Sequence, residues 1–174
     1  MPETAEQKEL EPLPTTPEAL LQILRELNIT YEIHYHEAVF TVEESAVINA
    51  EIPGTHCRNL YLRDKKKKNF LLVAANETQV DMKRLQEKLD CGRLSFGSAD
   101  RLWQFLGIRP GSVCPFTLIN DKDHEVQLIL DAAMMQSEIV NYHPLDNRQT
   151  ISLTPAGLLK FLAYTGHKPI TLDL

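Results

Sequence analysis

Apolar residues recur at helical spacing in four stretches of the chain. Leu20, Leu21, Leu24 and Leu27 predict a helix over residues 17–28, with Thr16 as N-cap and Pro17 in the first turn. Val80, Met82, Leu85 and Leu89 predict a second over 78–89, capped by Thr78 and broken by Cys91-Gly92. A third runs from Ser98 to the stop at Gly107, and a last one from Thr154-Pro155 to Gly166. The capping box Thr41-Val42-Glu43-Glu44 opens a shorter helix ending near Asn49. Between these lie extended patterns. Tyr31, Ile33 and Tyr35 alternate with Glu32, His34 and His36, which predicts a strand. Residues 58–63 and 70–75 read as a hairpin with Lys65, Lys66, Lys67 and Lys68 at its tip, and 94–96 as a short extended piece. Residues 113–119 and 126–130 read as a second strand pair, with 150–153 and 170–172 as single strands. Hairpins mixed with helices argue an α+β domain rather than a regular βαβ wind.

A chain of 174 residues, 43% apolar, is the size of one ordinary domain with a real core. No run of about 18 apolar residues occurs, so no membrane span is expected. No basic stretch followed by an apolar one opens the chain, so no secretory signal is expected. Cys57, Cys91 and Cys114 are an odd, widely spaced set that suits reduced cytoplasmic thiols. Residues 1–15 mix Pro2, Pro12 and Pro14 with Glu3, Glu6, Glu9 and Glu11 and read as a flexible tail.

Charge changes the picture. The formal net charge is −6, yet residues 54–68 hold six cations against Asp64 alone. Residues 1–52 hold 11 acids and 2 bases, whereas 53–174 hold 13 acids and 16 bases. An acidic protein with one strongly cationic element suggests a polyanionic partner, and RNA phosphate is the first candidate. The lysines alone could equally be a solvated loop tip that discourages edge pairing. Arg58 and Arg63, five apart on a strand, point to opposite faces, so one faces a concavity.

The inventory of reactive groups is thin. His34, His36, His56 and Cys57 match no zinc spacing, so no metal is expected. Cys114 sits in an apolar stretch that would keep its thiol protonated. Gly-x-Ser-x-Gly and the glycine-rich phosphate loops are absent, and no cofactor is indicated. Two features could present chemistry. Asn141-Tyr142-His143-Pro144 offers an imidazole on a restricted loop. Pro110-Gly111-Ser112-Val113 offers a backbone that can approach a ligand closely and donate N–H groups to an oxyanion.

Taken in order, the motifs form a recognisable set. They are Val39-Phe40-x-Val42-Glu43-Glu44, Gly54-Thr55-His56-Cys57-Arg58-Asn59-Leu60-Tyr61-Leu62-Arg63-Asp64, Gly92-Arg93-Leu94-Ser95-Phe96-Gly97, Pro110-Gly111-Ser112-Val113 with Leu118-Ile119-Asn120-Asp121, and Asn141-Tyr142-His143-Pro144-Leu145. This set resembles the prolyl-tRNA synthetase-associated (YbaK-like) editing domain family, in particular its free-standing members that hydrolyse Ala-tRNA(Pro). The resemblance spans residues 16–174 as a single editing domain. It implies a mixed, largely antiparallel, barrel-like sheet flanked by helices. It implies an aminoacyl-tRNA deacylase that needs no protein base, because the terminal ribose hydroxyl helps orient water.

By the family pattern, Arg58, Gly111 and His143 are the catalytic group. Asn59, Arg63, Arg93, Ser112 and Val113 contact substrate or tRNA, and Val39, Phe40 and Val42 wall a small apolar amino-acid pocket. The implied partners are the tRNA(Pro) acceptor end and a prolyl-tRNA synthetase, with no DNA, and the implied setting is cytoplasmic. Editing members characteristically carry lysine where this chain has Arg58. Arginine keeps the charge but is planar and forked. That departure leaves a second reading, a catalytically weak tRNA-binding or regulatory member of the same fold.

Overall fold

The computed structural model describes residues 11–174. Most of the predicted tail therefore lies outside the described residues. Its last part is tied to the body: the Glu11 carbonyl accepts from Arg109, and Thr15 Oγ1 donates to Asn120 Oδ1 at 2.7 Å.

The elements in chain order are α1 (Pro17–Glu26), β1 (Glu32–Tyr35), α2 (Val42–Asn49), β2 (Thr55–Arg63), β3 (Asn69–Ala75), α3 (Met82–Leu89), β4 (Ser95–Phe96) and α4 (Ala99–Leu106). A 3-10 helix (Pro115–Asn120), β5 (Val126–Asp131), a 3-10 turn (Met134–Gln136), β6 (Val140–Tyr142), β7 (Gln149–Leu153), α5 (Pro155–Thr165) and β8 (Ile170–Leu172) follow. The predicted caps hold. Thr16, Thr41, Ser98 and Thr154 each accept a backbone N–H of the first turn through the side chain. Gly107 and Gly166 end α4 and α5 in the left-handed conformation.

The eight strands form one mixed sheet in the order β1-β7-β6-β2-β3-β5-β8, with β4 paired to β2. β3 is its spine, buried along its whole length between antiparallel β2 and parallel β5. Leu71, Val73 and Ala75 enter the main core with α1, α4, α5 and the first 3-10 helix, and Phe70 and Leu72 enter a second cluster under α3. Strand alternation thus feeds two apolar layers, one on each face.

Three sequence expectations fail for identifiable reasons. Residues 113–119 are not a strand: Pro115 has no N–H for a ladder, and Thr117 Oγ1 donates back to the Cys114 carbonyl at 2.6 Å, closing a 3-10 helix. β5 accordingly pairs with β3 and β8. Thr78 does not cap α3. Asp81 does, through Lys83 N and Arg84 N, while Thr78 Oγ1 donates to buried Asp131. β2 begins at Thr55 rather than at Arg58, and the extra residues pair with β6, a strand the sequence reading took for a loop.

Candidate active site

A cavity of about 630 Å³ lies where β2 enters the sheet. Its walls come from segments far apart in the chain: residues 39–49, 56–59, 110–111 and 141–143. The parallel pairing Thr55↔Val140 and His56↔Asn141 joins them. Gly54 makes that junction possible. Its φ is +107°, and a Cβ there would lie 2.8 Å from Ile139 Cγ2 and 2.9 Å from Asn141 Nδ2. Buried Asn141 locks the joint. Its Nδ2 donates to the Pro53 and Thr55 carbonyls at 3.1 and 3.3 Å, and its Oδ1 accepts from Ser152 Oγ at 2.5 Å.

His143 follows β6 and is half-buried at the cavity wall. Its Nδ1 lies 2.8 Å from the Gln149 carbonyl, which can only accept, so Nδ1 carries the proton and Nε2 offers a lone pair. Burial depresses the imidazole pKa below 6.5; the Gln149 bond opposes this, while His36 and His56 add to it. His143 is therefore neutral at pH 7. The His36 ring meets it edge-on at 5.9 Å. His36 donates from Nδ1 to the Glu37 carbonyl and accepts at Nε2 from Thr150 Oγ1, both at 2.8 Å.

Arg58 also lines the cavity, but its guanidinium is engaged. Nη1 donates to the Asn76 carbonyl at 3.2 Å and Nη2 to the Thr78 carbonyl at 2.5 Å. Beside it Asn59 Oδ1 is buried with no hydrogen-bond partner among the described residues. Gly111 sits at the mouth with φ +95°. A Cβ there would have room, 3.6 Å from Asn147 Nδ2, so conformation rather than space selects glycine. Of the expected amino-acid pocket, Val39 is buried, whereas Phe40 and Val42 are 75% and 82% exposed at the rim. The cavity is thus larger and less apolar than a bare alanyl pocket, with room for a nucleoside.

Arg63, Arg93, Ser112 and Val113 do not line this cavity. Arg63 stacks over Phe105 at 5.6 Å and donates to the Lys67 carbonyl. Arg93 is exposed beside the lysine tip. The Ser112 N–H donates to the Arg109 carbonyl at 3.3 Å, closing the turn, and Val113 packs against the main core. Conversely, His56, Cys57, Asn76, Tyr142 and Thr150 line the cavity and were not assigned to it from sequence, and His36 backs its wall through the His143 ring.

The lysine tip is ordered from within. Asp64, 6% exposed, accepts from Lys66 N and Lys68 N through Oδ1, both at 2.9 Å, and from Gly92 N through Oδ2 at 3.2 Å. One carboxylate therefore shapes the hairpin turn and staples the Arg93 loop to it.

Burial pushes the Cys57 and Cys114 thiols each up to about 12, so neither is a thiolate at neutral pH. His34 donates to Ser152 Oγ at 3.2 Å and His56 Nε2 to the Ile52 carbonyl at 2.7 Å. Among the described residues no three His, Cys, Asp or Glu side chains gather so as to hold a metal ion. No described helix is long and apolar enough to cross a membrane.

Comparison with known proteins agrees with this geometry. Residues 36–161 match the model of the aminoacyl-tRNA editing domain. The chain is 36% identical over 158 residues to the prolyl-tRNA editing protein ProX of Acetoanaerobium sticklandii, covering 90% of this chain and 96% of that one. It is 37% identical over 158 residues to the prolyl-tRNA synthetase associated domain-containing protein 1 of Xenopus laevis, covering 88% and 94%. In fold it is similar to a crystal structure described as a candidate trans-editing enzyme for prolyl tRNA synthetase, with TM-score 0.68, 18% identity and coverage of 92% and 97%.

Proposed function

We infer that this chain, which belongs to the aminoacyl-tRNA editing domain family, clears wrongly attached amino acids from tRNA(Pro) in trans, with Ala-tRNA(Pro) as its principal substrate. As an aminoacyl-tRNA deacylase it hydrolyses an ester. Water adds to the ester carbonyl, the C–O bond to the ribose breaks, and the ribose oxygen takes the proton. The observation that carries the reading is the meeting of Arg58, Gly111 and His143, from three distant segments, around one cavity that holds no thiolate.

The roles follow from chemistry. The His143 Nε2 lone pair accepts from the free hydroxyl of the terminal ribose and fixes that hydroxyl beside the attacking water. The Gly111 N–H faces the oxyanion. The open acceptor Asn59 Oδ1 receives the α-ammonium of the amino acid. Arg58 supplies positive potential toward the terminal phosphate. No side chain needs to act as base. The service is one that a proline pocket cannot perform alone, because discrimination by a methylene or two is worth only about 1–3 kcal/mol. Such a substrate implies a cytoplasmic setting, and the prolyl-tRNA synthetase is a partner by supply of tRNA.

Incubating the protein with Ala-tRNA(Pro) and Pro-tRNA(Pro) tests this. Selective loss of the alanyl ester is expected; loss of neither, or of both equally, refutes the reading. A second reading, a tRNA-binding member of weak activity, draws on one observation: the Arg58 guanidinium already serves two backbone carbonyls. Binding of Ala-tRNA(Pro) without turnover would select it.

A further inference from the structure

Phe96 is 69% exposed, although it belongs to a strand and is not on a loop tip. Its backbone is held firmly. β4 pairs with β2 in the register Leu62↔Phe96 and Arg63↔Ser95. The Leu94 N–H donates to Gln86 Oε1 at 2.8 Å, and the Gly97 N–H to the Tyr61 carbonyl at 2.9 Å. Gly97 lies so close to Tyr61 that a Cβ would fall 2.2 Å from its ring. An aromatic face is thus presented to solvent on a fixed frame.

Its position relative to the cavity is set by strand geometry. Residues directly opposite in an antiparallel pair share a face, so Phe96 lies on the face of Leu62. Arg58 and Leu62 are four residues apart on β2 and share that face, about 13 Å from one another. Cations flank the ring: Arg93 and Arg101 occur within five residues of it, and the tip Lys65–Lys68 lies beyond, joined to the Arg93 loop through Asp64. The acid in that hairpin is buried and satisfied by amide donors, while Asp100 is the acid nearest the ring in sequence.

Resting on the function proposed above, we propose that Phe96 is a stacking platform for one unpaired nucleotide of the tRNA 3′ end, between the terminal phosphate at Arg58 and the stem phosphates at the lysine tip. The step of about 5 Å across to β4 puts Phe96 about 14 Å from Arg58, and stacked nucleotides repeating at about 3.4 Å span this in about four. That is the reach of the unpaired 3′ segment. A ring without polar atoms stacks on any base, so Phe96 sets register and leaves base identity to other groups. The surrounding cations favour RNA over an apolar protein surface. Phe96 is a positioning residue: it does not meet the reacting atoms.

The test compares two substrates in Phe96→Leu, which keeps the apolar bulk, and Phe96→Trp, which keeps the π face. With Ala-tRNA(Pro), Phe96→Leu is expected to raise KM about 5- to 100-fold at nearly constant kcat, and Phe96→Trp to stay near the wild type. With the minimal ester 3′-O-alanyl-adenosine, all three proteins should be equal, because this substrate ends before Phe96. In a tRNA carrying 2-aminopurine at one of its unpaired positions, wild-type protein should quench fluorescence and Phe96→Leu should not. Unchanged KM for Ala-tRNA(Pro) in Phe96→Leu overturns the inference while leaving the deacylase reading intact, and this is the outcome if a protein partner covers Phe96. An equal loss on the minimal ester also overturns it, since the effect would then pass through the fold. Failure of the wild type on both esters refutes the deacylase reading itself.

Discussion

Two pairs of neighbouring imidazoles occur among the described residues, and they could hardly be built more differently. At the cavity, His143 and His36 meet edge to face at 5.9 Å, and His143 is held by one backbone carbonyl. At the other corner, His124 and His167 stack at 4.1 Å, and His167 bridges buried Asp121 at 3.0 Å and Thr165 at 2.9 Å. Asp121 further accepts from Glu125 N and Val126 N, both at 2.9 Å. In the second pair the His167 nitrogens are both engaged, so the ring serves the fold. In the first, the His143 hydrogen bond fixes a tautomer and leaves the other nitrogen for a ligand. Partner saturation, more than burial, separates a histidine committed to the fold from one with a nitrogen left for a ligand.

Breaking the structural corner should have the largest effect. Asp121→Ala strands the buried Val126 amide, the part-buried Glu125 amide and an imidazole and should cost about 3 kcal/mol or more, read as a lower urea midpoint. Deacylation per folded molecule should not change; a matching loss of specific activity would erase the contrast.

His143→Ala should do the reverse. Turnover should fall about 100-fold with stability and tRNA affinity little altered. An equal fall in turnover and binding would refute its role. The pH profile sharpens the same point. Burial disfavours the His143 imidazolium, so its pKa lies below 6.5 and activity should be level through neutrality, falling only in acid below pH 6.5. The unfolded chain takes up that proton first, so stability should also decline as pH drops below 6.5. Half-maximal activity already at pH 7 would contradict this assignment.

Arg58→Lys should have the smallest effect. A single ammonium cannot reproduce the fork onto the Asn76 and Thr78 carbonyls, so about 1 kcal/mol of stability should be lost. Positive charge is kept, and kcat/KM should move less than tenfold. A larger gain would mark the natural protein as a weakened editor.

Much of the fold could be read from local chemistry, and the misses share a cause. Helix caps such as Thr16, Thr41 and Ser98 act over three residues, and they were legible. Strand partners act over a hundred. Residues 113–119 look like a strand by composition, and only the local bonds of Pro115 and Thr117 make them helical. β6, three residues long, has too short a pattern to detect, yet it delivers His143 to the cavity. Arg58, Gly111 and His143 were legible as a set only through family motifs, since no spacing rule links them. His56 and Thr150 were not, because their place depends on the β1–β7 and β2–β6 registers. Val113 instead packs against the main core, a tertiary contact with no local signal.

The two-residue parallel seam between β2 and β6 ties the start of one strand to a segment some 85 positions later, with Asn141 bonded to Thr55 across that gap. A fragment ending before Val140 lacks this seam and the Asn141–His143 wall of the hollow. A nascent polypeptide released before Val140 would hold the hairpin and the lysines but no chamber.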